Sequence, residues 1–310
     1  MSYTTAHHPA APPPQVIIHG GAGATLKSKG AVQPLRASLH HIVRTVYEHL
    51  TQGMPALDAV VLGCQLLEDD PQFNAGTGAV LQSDGQVRLS AALMDGATQT
   101  FSGVINAQRV QYPSKLAHFL QTQSDRVIAD VGTVELAREL FIPLYNPITP
   151  KRLQEWVNEC KDGALMNLVS EMGTIGVVVR DTQGRLAAGT STGGKGGERI
   201  GRVSDSAMPA GTYANDCAAI SCTGIGEDII NECLAARIVL RVTDGMDLAQ
   251  AFARSFAESA QRGRDLGAIG IDAQGTIAWG RTTEVILAAY CTNNVIDDTL
   301  PAGVSTTDPL

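Results

Sequence analysis

The sequence predicts one α+β domain, with β-sheets at its centre and helices contributed by both halves of the chain. Two observations support this prediction. Short runs rich in β-branched residues recur in both halves, and apolar residues recur at helical spacing between them. The 310 residues are 44% hydrophobic, so the chain can bury a sizeable core, and this length still permits a single large domain.

The first half is predicted to open with a strand and to continue mainly as helices. Residues 15–23 (QVIIHGGAG) are typical of a short buried strand that ends in a Gly-rich turn. Apolar residues at helical spacing predict helices over residues 35–50, 56–67, 113–120 and 131–140. The Gly- and Asp-rich residues 68–96 indicate an ordered loop that leads into a hairpin.

Proline residues punctuate the stretch from residue 143 to residue 173, which therefore predicts a linker without regular structure. The second half is predicted to contain hairpins over residues 175–189 and 266–280, strands over 218–222 and 284–290, and helices over 228–243 and 248–262. The tail from Asn293 onward is polar and is expected to be loosely structured.

The hairpin in the middle of the chain brings two threonines together. Residues 182–184 (TQG) supply its turn, and its second strand alternates apolar and polar side chains over residues 185–189. An antiparallel hairpin centred on Gln183 places Thr174 opposite Thr192, within one register slip at the turn. Opposed Cβ atoms lie roughly 4.5–5.5 Å apart, so the two hydroxyl groups are expected to share one strand end.

A threonine hydroxyl is a poor nucleophile until a base takes its proton. All seven histidines lie at or before His118, and an arrangement of Ser, His and Asp from distant segments is not excluded. The other available base is the α-amino group of Thr174 itself, which exists only if the chain is cut before this residue. Gly173 suits such a cut because it lacks a Cβ and leaves its carbonyl open to attack.

Seven short motifs occur in order along the chain: HGGAG (19–23), FNAGTGAVL (73–81), MDG (94–96), GTIGVVVRD (173–181), TSTGG (190–194), GRVSDS (201–206) and SCTGIGE (221–227). This order resembles the plant-type L-asparaginase and isoaspartyl peptidase family of N-terminal-nucleophile hydrolases, over about residues 16–290. The resemblance implies a four-layer αββα sandwich. It also implies self-cleavage between Gly173 and Thr174, giving an α chain (15–173) and a β chain (174–310). The N-terminal sequence itself, MSYTTAHHPAAPPP, predicts a disordered lead over residues 1–14.

The resemblance assigns roles to individual residues. Thr174 would be the nucleophile, with its new amine as the base, and Thr192 would hydrogen-bond to it. Thr223 and the backbone N–H of Gly224 would form the oxyanion hole, and the turn at Gly20–Gly21 would lie near the nucleophile. In isolation, Thr223 and Gly224 would instead indicate a turn at the end of a strand.

Three further residues are implied to bind the substrate. Arg202 would hold its α-carboxylate and Asp205 its α-ammonium, while Asn74 would order the site near the leaving group. Arg offers bidentate geometry to a carboxylate, which suits this role. Without the flanking motifs, Arg202 and Asp205 would indicate a surface salt bridge.

The resemblance also implies a structural sodium ion, held by backbone carbonyls in the loop from residue 67 to residue 77. The implied ligands are Leu67, Glu68, Asp70, Phe73, Ala75 and Thr77. From sequence alone, the acidic side chains at residues 68–70 indicate a solvated helix end. No cofactor is expected for the chemistry itself, and the resemblance implies a homodimer of αβ units.

Two other classes of function have some support in the sequence. The loop GTSTGGKG (189–196) approaches a phosphate-binding P-loop, but Gly196 stands where that motif requires Ser or Thr after the lysine. Ser90, Ser204 and Ile225 depart from the usual family residues. The departures at Ser204 and Ile225 leave open an uncut, non-catalytic amino-acid-binding protein on the same scaffold.

Charge and composition narrow the partners. The net charge of −8 argues against nucleic acid or an anionic membrane as the main partner, because both favour a basic surface. No run of 18 apolar residues is present, and the N-terminus has no signal-peptide pattern, so a cytoplasmic location is expected. The predicted substrates are small molecules with a free α-amino-acid end, namely L-asparagine and β-aspartyl dipeptides.

Overall fold

The computed structural model describes residues 13–23, 32–161 and 173–300. Its helices are α1 (Val32–Thr51), α2 (Ala56–Asp69), α3 (Pro113–Leu120), α4 (Val131–Glu139), α5 (Pro150–Lys161), α6 (Gly226–Glu232), α7 (Leu234–Thr243) and α8 (Leu248–Gln261). The strands of the first half are β1 (Gln15–Gly23), β2 (Leu89–Asp95), β3 (Thr100–Ala107) and β4 (Val127–Ala129). Those of the second half are β5 (Ile175–Arg180), β6 (Leu186–Thr192), β7 (Thr212–Ala214), β8 (Ala218–Gly224), β9 (Leu266–Asp272), β10 (Ile277–Arg281), β11 (Val285–Thr292) and β12 (Val295–Asp298).

The strands form two sheets. The larger has eight strands in the order β12-β11-β1-β5-β6-β2-β3-β4, and the smaller has four in the order β10-β9-β8-β7. Neighbouring strands pair antiparallel except β3 and β4, which are parallel. Strands β5 and β6 therefore lie in the middle of the larger sheet, next to β1.

The sheets and helices stack in four layers, which confirms the predicted αββα sandwich. Helices α1 and α2 cover the outer face of the larger sheet, and α7 and α8 cover the smaller one. Along β5, Val177 and Val179 pack in the core beneath the first helices, whereas Val178 packs between the two sheets. The alternation follows from the two-residue period of a strand.

Strand β6 does not have the half-buried pattern that its sequence suggested. All seven of its residues, including Thr190 and Ser191, are buried. The reason is that β6 lies in the middle of a sheet that is covered on both faces, so its polar side chains point into the interior.

The predicted linker over residues 143–173 is wrong in part, because α5 occupies Pro150–Lys161. Proline at the first helical position suits a helix start. None of the residues of α5 is fully buried, but Trp156 is partly buried and packs against the core. Side chains anchor it: Trp156 donates to the carbonyl of Gln82 at 3.0 Å, and Arg152 donates to that of Gly78 at 2.7 Å. Residues 143–149 have no regular structure, as predicted, and residues 162–172 lie outside the described residues, as does most of the predicted N-terminal lead.

Two other elements differ from the prediction. The helix expected over residues 228–243 is divided at Cys233, whose φ of 48° is left-handed. The tail after Asn293 contains β12, which pairs with β11 through a turn at Asn293 and Asn294, both with positive φ. Two such residues form the tight turn that hairpins favour. Among the described residues, no helix combines the length and apolar character needed to cross a membrane.

Candidate active site

The central hairpin has the register that the sequence predicted. Ile175 pairs with Ser191, so Thr174 and Thr192 sit opposite each other at the strand ends. The Thr174 hydroxyl donates to Thr192 Oγ1 at 3.3 Å, and Thr192 Oγ1 also accepts the backbone N–H of Gly194 at 3.1 Å. Both threonines are buried, with 6% and 2% of their surface exposed.

A cavity of about 490 Å³ opens beside these two hydroxyl groups. The predicted site residues that line it are Gly173, Thr174, Thr192, Arg202, Asp205 and Gly224. Cavities of this size accept small ligands. The structure thus brings most of the predicted site residues to one place, although they come from distant parts of the sequence.

Arg202 is engaged with a neighbouring acid. Its Nε and Nη2 donate to the two carboxylate oxygens of Glu227, each at 3.0 Å, and its Nη1 lies 3.8 Å from Glu198 Oε2. Hydrogen bonds from Arg202 lower the pKa of Glu227 to about 2. The guanidinium is therefore oriented to bind both oxygens of a carboxylate at once, which is the bidentate geometry that arginine favours. The sequence prediction missed Glu227 as the partner.

Asp205 is a buried acid with unused hydrogen-bonding capacity. It begins a 3-10 helix over Asp205–Ala207, and only 2% of its surface is exposed. Within the described residues, its Oδ2 atom has no hydrogen-bond partner. Burial raises its pKa to about 7, although the positive charge of Arg202 acts in the opposite direction. A positively charged group placed beside a buried carboxylate stabilises its ionised form.

Two glycines make room for the acid and the arginine. A Cβ on Gly211 would lie 2.5 Å from Asp205 Oδ2, and one on Gly226 would lie 2.7 Å from Arg202 Nη2. Any larger residue at either position would displace these side chains. Ser204, one of the departures from the family pattern, also lines the cavity, and its Oγ has no hydrogen-bond partner among the described residues.

Thr223 and Gly224 end strand β8 beside the cavity. Thr223 is fully buried, and its Oγ1 accepts the backbone N–H of Ala22 at 3.2 Å, which leaves its own proton available. Gly224 lines the cavity with a φ of 123°. A Cβ there would lie 2.7 Å from the carbonyl oxygen of Asp265, so glycine permits this close approach.

Asn74 lies behind the loop that follows Thr192. Its Nδ2 donates to the carbonyl of Gly194 at 2.7 Å, and its Oδ1 accepts the N–H of Val80 at 2.9 Å. A Cβ on Gly173 would come within 3.4 Å of Asn74 Nδ2. Asn74 therefore braces the loop after Thr192, and both polar atoms of its side-chain amide hydrogen-bond to backbone.

His19 was not among the predicted site residues, but it contacts the predicted nucleophile. Its Nδ1 lies 3.1 Å from the carbonyl oxygen of Thr174, and its Nε2 lies 3.0 Å from Ser221 Oγ. Burial lowers its pKa to about 3, so the imidazole is neutral. The available sequence signal was the position of this histidine directly before Gly20–Gly21, the turn that was expected near Thr174.

The loop implied to hold sodium follows the end of α2. The Glu68 carbonyl accepts the N–H of Thr77 at 2.7 Å, and Gly76 and Gly78 both have positive φ. Pro71 has no N–H, so the Leu67 carbonyl at the end of α2 lacks the usual helical donor. Carbonyl oxygens are the donors that hard cations take, so the Leu67 carbonyl suits such an ion.

One expectation for this loop is wrong. Glu68 does not belong to a solvated helix end, because it is fully buried and accepts the hydroxyl and the N–H of Ser114 at 2.7 and 3.2 Å. Burial raises its pKa to about 8, against the hydrogen bonds from Ser114. Among the described residues, no group of three or more His, Cys, Asp or Glu side chains is placed to hold a metal ion.

Comparison with known proteins agrees with this geometry. The family profile described as asparaginase matches residues 12–300. The chain is 57% identical over 306 residues to the isoaspartyl peptidase/L-asparaginase of Nostoc sp., covering 94% of this chain and 96% of the relative. It is 37% identical over 295 residues to the plant-type L-asparaginase of Pyrococcus horikoshii, covering 89% and 95%. With the human isoaspartyl peptidase/L-asparaginase the identity is 33% over 265 residues, covering 83% and 85%.

The four layers and the central hairpin are the architecture of the N-terminal-nucleophile hydrolases. The match covers nearly the whole chain and includes the strands, loops and glycines that build the cavity. The chain belongs to the asparaginase family and is a hydrolase.

Proposed function

We propose that this protein hydrolyses the side-chain amide of L-asparagine and the isopeptide bond of β-aspartyl dipeptides, with Thr174 as an N-terminal nucleophile. The observation that supports this most directly is the 3.3 Å contact between the Thr174 and Thr192 hydroxyls, beside a cavity that also holds Arg202 and Asp205. The names of the relatives, isoaspartyl peptidase/L-asparaginase, support the same substrate class.

The proposed first event is self-cleavage. Thr174 Oγ1 attacks the carbonyl carbon of Gly173, the peptide C–N bond breaks, and the acyl group moves from nitrogen to oxygen as an ester. Water then hydrolyses the ester, which leaves a carboxylate on Gly173 and a free amine on Thr174. Asn74 lies near the acyl side of this bond, since a Cβ built on Gly173 would come within 3.4 Å of its Nδ2.

The new amine then serves as the base for substrate hydrolysis. A free α-amine has a pKa of about 7.7–8.0, close to that wanted for a base at neutral pH. It takes the Thr174 hydroxyl proton as Oγ1 attacks the substrate amide carbon, and it returns the proton to the departing ammonia or amino acid. Water cleaves the resulting acyl-enzyme ester and releases aspartate. Thr192 holds the reacting oxygen in place throughout.

The tetrahedral intermediates carry negative charge on the former carbonyl oxygen. The Thr223 hydroxyl and the backbone N–H of Gly224 stabilise this charge in the proposed mechanism. Each such donor, held in place before the reaction, is typically worth about 3 kcal/mol of transition-state stabilisation. The acceptor contact of Thr223 with Ala22 supports this role because it directs the Thr223 proton away from Ala22.

Asp205 and Arg202 recognise the amino-acid end of the substrate. Asp205 Oδ2, which has no hydrogen-bond partner among the described residues, accepts the α-ammonium group. The substrate α-carboxylate takes the place of Glu227 and accepts from Nε and Nη2 of Arg202. The hydrogen bonds to Glu227 show the bidentate geometry of this edge of the guanidinium. Asn74 orders the loop around Gly194 without touching the substrate.

A sodium ion would be held by the backbone carbonyls of the loop already described, from Leu67 to Thr77. When bound, it would fix the backbone next to Asn74 and supply no group to the reaction. No other cofactor enters the proposed chemistry, and the working form is proposed to be a homodimer of αβ units.

A release assay tests the proposed activity. Purified protein is given L-asparagine and, separately, a panel of β-aspartyl dipeptides, and the ammonia or free amino acid is quantified. The wild type is expected to release aspartate from both classes, and Thr174→Ala is expected to release none above background. Tight binding of these compounds without turnover by the wild type would instead support the amino-acid-binding alternative.

A further inference from the structure

We infer that His19 is a positioning residue that fixes the backbone carbonyl of Thr174, and that a buried chain of hydroxyl groups from Ser221, Thr190 and Thr212 holds His19 in the required tautomer. Because the role of Thr174 as nucleophile comes from the proposed function, the catalytic consequence of this chain rests on that proposal. The hydrogen bonds themselves do not depend on it.

The need for an anchor follows from the position of Thr174. The ladder between β5 and β6 begins at Ile175, and that between β1 and β5 reaches only Gly176. Thr174 therefore lies outside both ladders. Cleavage would also free its N-terminal side, which leaves the carbonyl as its backbone anchor point. His19 Nδ1, at 3.1 Å, is placed to hold that carbonyl.

The tautomer follows from the chemistry of the two partners. A carbonyl oxygen can only accept, so the 3.1 Å contact requires the proton on His19 Nδ1. The fully buried imidazole is neutral, because burial lowers its pKa to about 3. Nε2 is then an acceptor, and the Ser221 hydroxyl donates to it at 3.0 Å. Ser221 thereby selects the tautomer that binds Thr174.

The chain continues beyond Ser221. The Thr190 hydroxyl lies 2.7 Å from Ser221 Oγ, which has given its own proton to His19 and therefore accepts here. Thr212 Oγ1 lies 2.5 Å from Thr190 Oγ1 and 3.0 Å from the carbonyl oxygen of Ser206. The single proton of the Thr212 hydroxyl goes to Thr190, because Thr190 has given its own proton to Ser221, so the chain ends at Thr212.

The chain crosses the interface between the sheets. His19 and Thr190 belong to the larger sheet, and Ser221 and Thr212 belong to the smaller one. The side chains of the four residues that make these hydrogen bonds, His19, Ser221, Thr190 and Thr212, are fully buried. The partner of His19 on β5 is Gly176, and a Cβ at this position would clash with both the imidazole and Ser221 Oγ. Glycine at position 176 thus provides the space for the His19–Ser221 hydrogen bond.

Nitrogen NMR tests the tautomer without reference to activity. The protein is labelled with ¹⁵N-histidine, and the His19 signals are assigned by their loss in His19→Asn. At about pH 7 we expect a protonated, pyrrole-type Nδ1 and an unprotonated, pyridine-type Nε2. The same pattern is expected in Thr174→Ala, which keeps the carbonyl. An Nε2–H tautomer or an imidazolium in either protein would overturn the inference.

Kinetics tests the positioning role on protein that has matured fully by mass. His19→Ala is expected to lower kcat for L-asparagine by about 10- to 100-fold with KM changed less than about three-fold, because misplacement of a reacting group slows the chemical step. His19→Asn keeps an N–H near the Nδ1 position and should recover part of kcat. His41→Asn, at an exposed histidine of α1, is the matched control and should match the wild type.

The outcomes separate the two proposals. Unchanged kcat in His19→Ala, or a loss confined to KM, would overturn the positioning role while leaving Thr174 as the nucleophile. Full activity in Thr174→Ala would overturn the proposed function, and the NMR result would still decide whether the hydrogen-bond chain exists. A kcat loss that His19→Asn partly restores, together with the expected tautomer, would support both.

Discussion

The hydroxyl oxygens of Thr174 and Thr192 lie 3.3 Å apart at the open end of the β5–β6 hairpin, although 18 positions separate the residues in sequence. Thr192 Oγ1 accepts from Thr174 and also from the N–H of Gly194. Two donors converging on one oxygen fix the rotamer of Thr192, and this in turn fixes the direction of the Thr174 hydroxyl. The hairpin thus determines the geometry of the proposed nucleophile.

Removing the Thr192 hydroxyl is expected to slow turnover more than it weakens binding. Thr192→Val keeps the shape but loses a hydrogen bond of about 1–3 kcal/mol, so kcat should fall about 10- to 100-fold. Thr192→Ser keeps the hydroxyl and should retain most of the activity. Steady-state kinetics with L-asparagine measures both constants. A change in KM alone would show that Thr192 does not orient the nucleophile.

Arg202 is expected to control binding of the substrate carboxylate. Arg202→Lys loses the bidentate geometry seen with Glu227, so KM for L-asparagine should rise about 10-fold or more, with a smaller effect on kcat. Glu227→Gln keeps the arginine and is the comparison variant, with a smaller change in KM. If Arg202→Lys lowered only kcat, the carboxylate would have to bind elsewhere.

Asp205 is expected to destabilise the ligand-free protein as pH rises. Its folded pKa of about 7 lies above the unfolded value of 3.8, so the folded state binds more protons between these values. Its contribution to stability is therefore lost as pH increases through this window. The quantity to compare is the unfolding free energy of Asp205→Asn minus that of its Asp205 parent. This difference should grow by roughly 2–3 kcal/mol between about pH 5 and about pH 8.

Denaturant unfolding in a Thr174→Ala background measures this gain, because that background keeps one chain. Asp125→Asn, at an exposed acid before β4, serves as the control and should show no comparable trend. A stability difference between Asp205→Asn and its parent that does not grow with pH would contradict a raised pKa at this position. The same variant should bind L-asparagine poorly in the mature enzyme, since the ammonium loses its counter-charge.

Gly176 is expected to tolerate no side chain. A Cβ there would overlap the imidazole of His19 and the Ser221 hydroxyl, and overpacking of this kind typically costs about 1–3 kcal/mol. Gly176→Ala should therefore lower the unfolding free energy and kcat together. Gly132→Ala is the matched control, because the nearest atom to its Cβ lies 3.8 Å away and alanine favours the α4 helix. Equal stability of the two variants would argue against the tight contact.

The hairpin register could be predicted from sequence because it depends on a local turn and the two-residue period of strands. The wrong predictions depended on contacts between distant segments. Helix α5 buries none of its residues fully and is held by Trp156, which packs against the core and donates to the carbonyl of Gln82. Strand β12 is short, and Asp298 within it is held by Arg36 of α1 at 2.7 Å.

The same distinction applies to the site. The motifs indicated Arg202 and Asp205 as site residues, but they did not indicate that Arg202 would hydrogen-bond to Glu227. His19 directly precedes the two glycines of the turn that was expected near Thr174, and this position was its only sequence indication. Its role depends on contacts with Thr174 and Ser221, which lie 155 and 202 positions away. Long-range pairs of this kind become visible only when the sheets are assembled.

The mass of the intact polypeptides in purified, active protein tests the central claim most directly. The account predicts two chains, residues 1–173 and 174–310, in equal amounts, with threonine at the N-terminus of the second, whereas Thr174→Ala should give one chain of 310 residues. Active protein that consists of a single uncut chain would contradict the account.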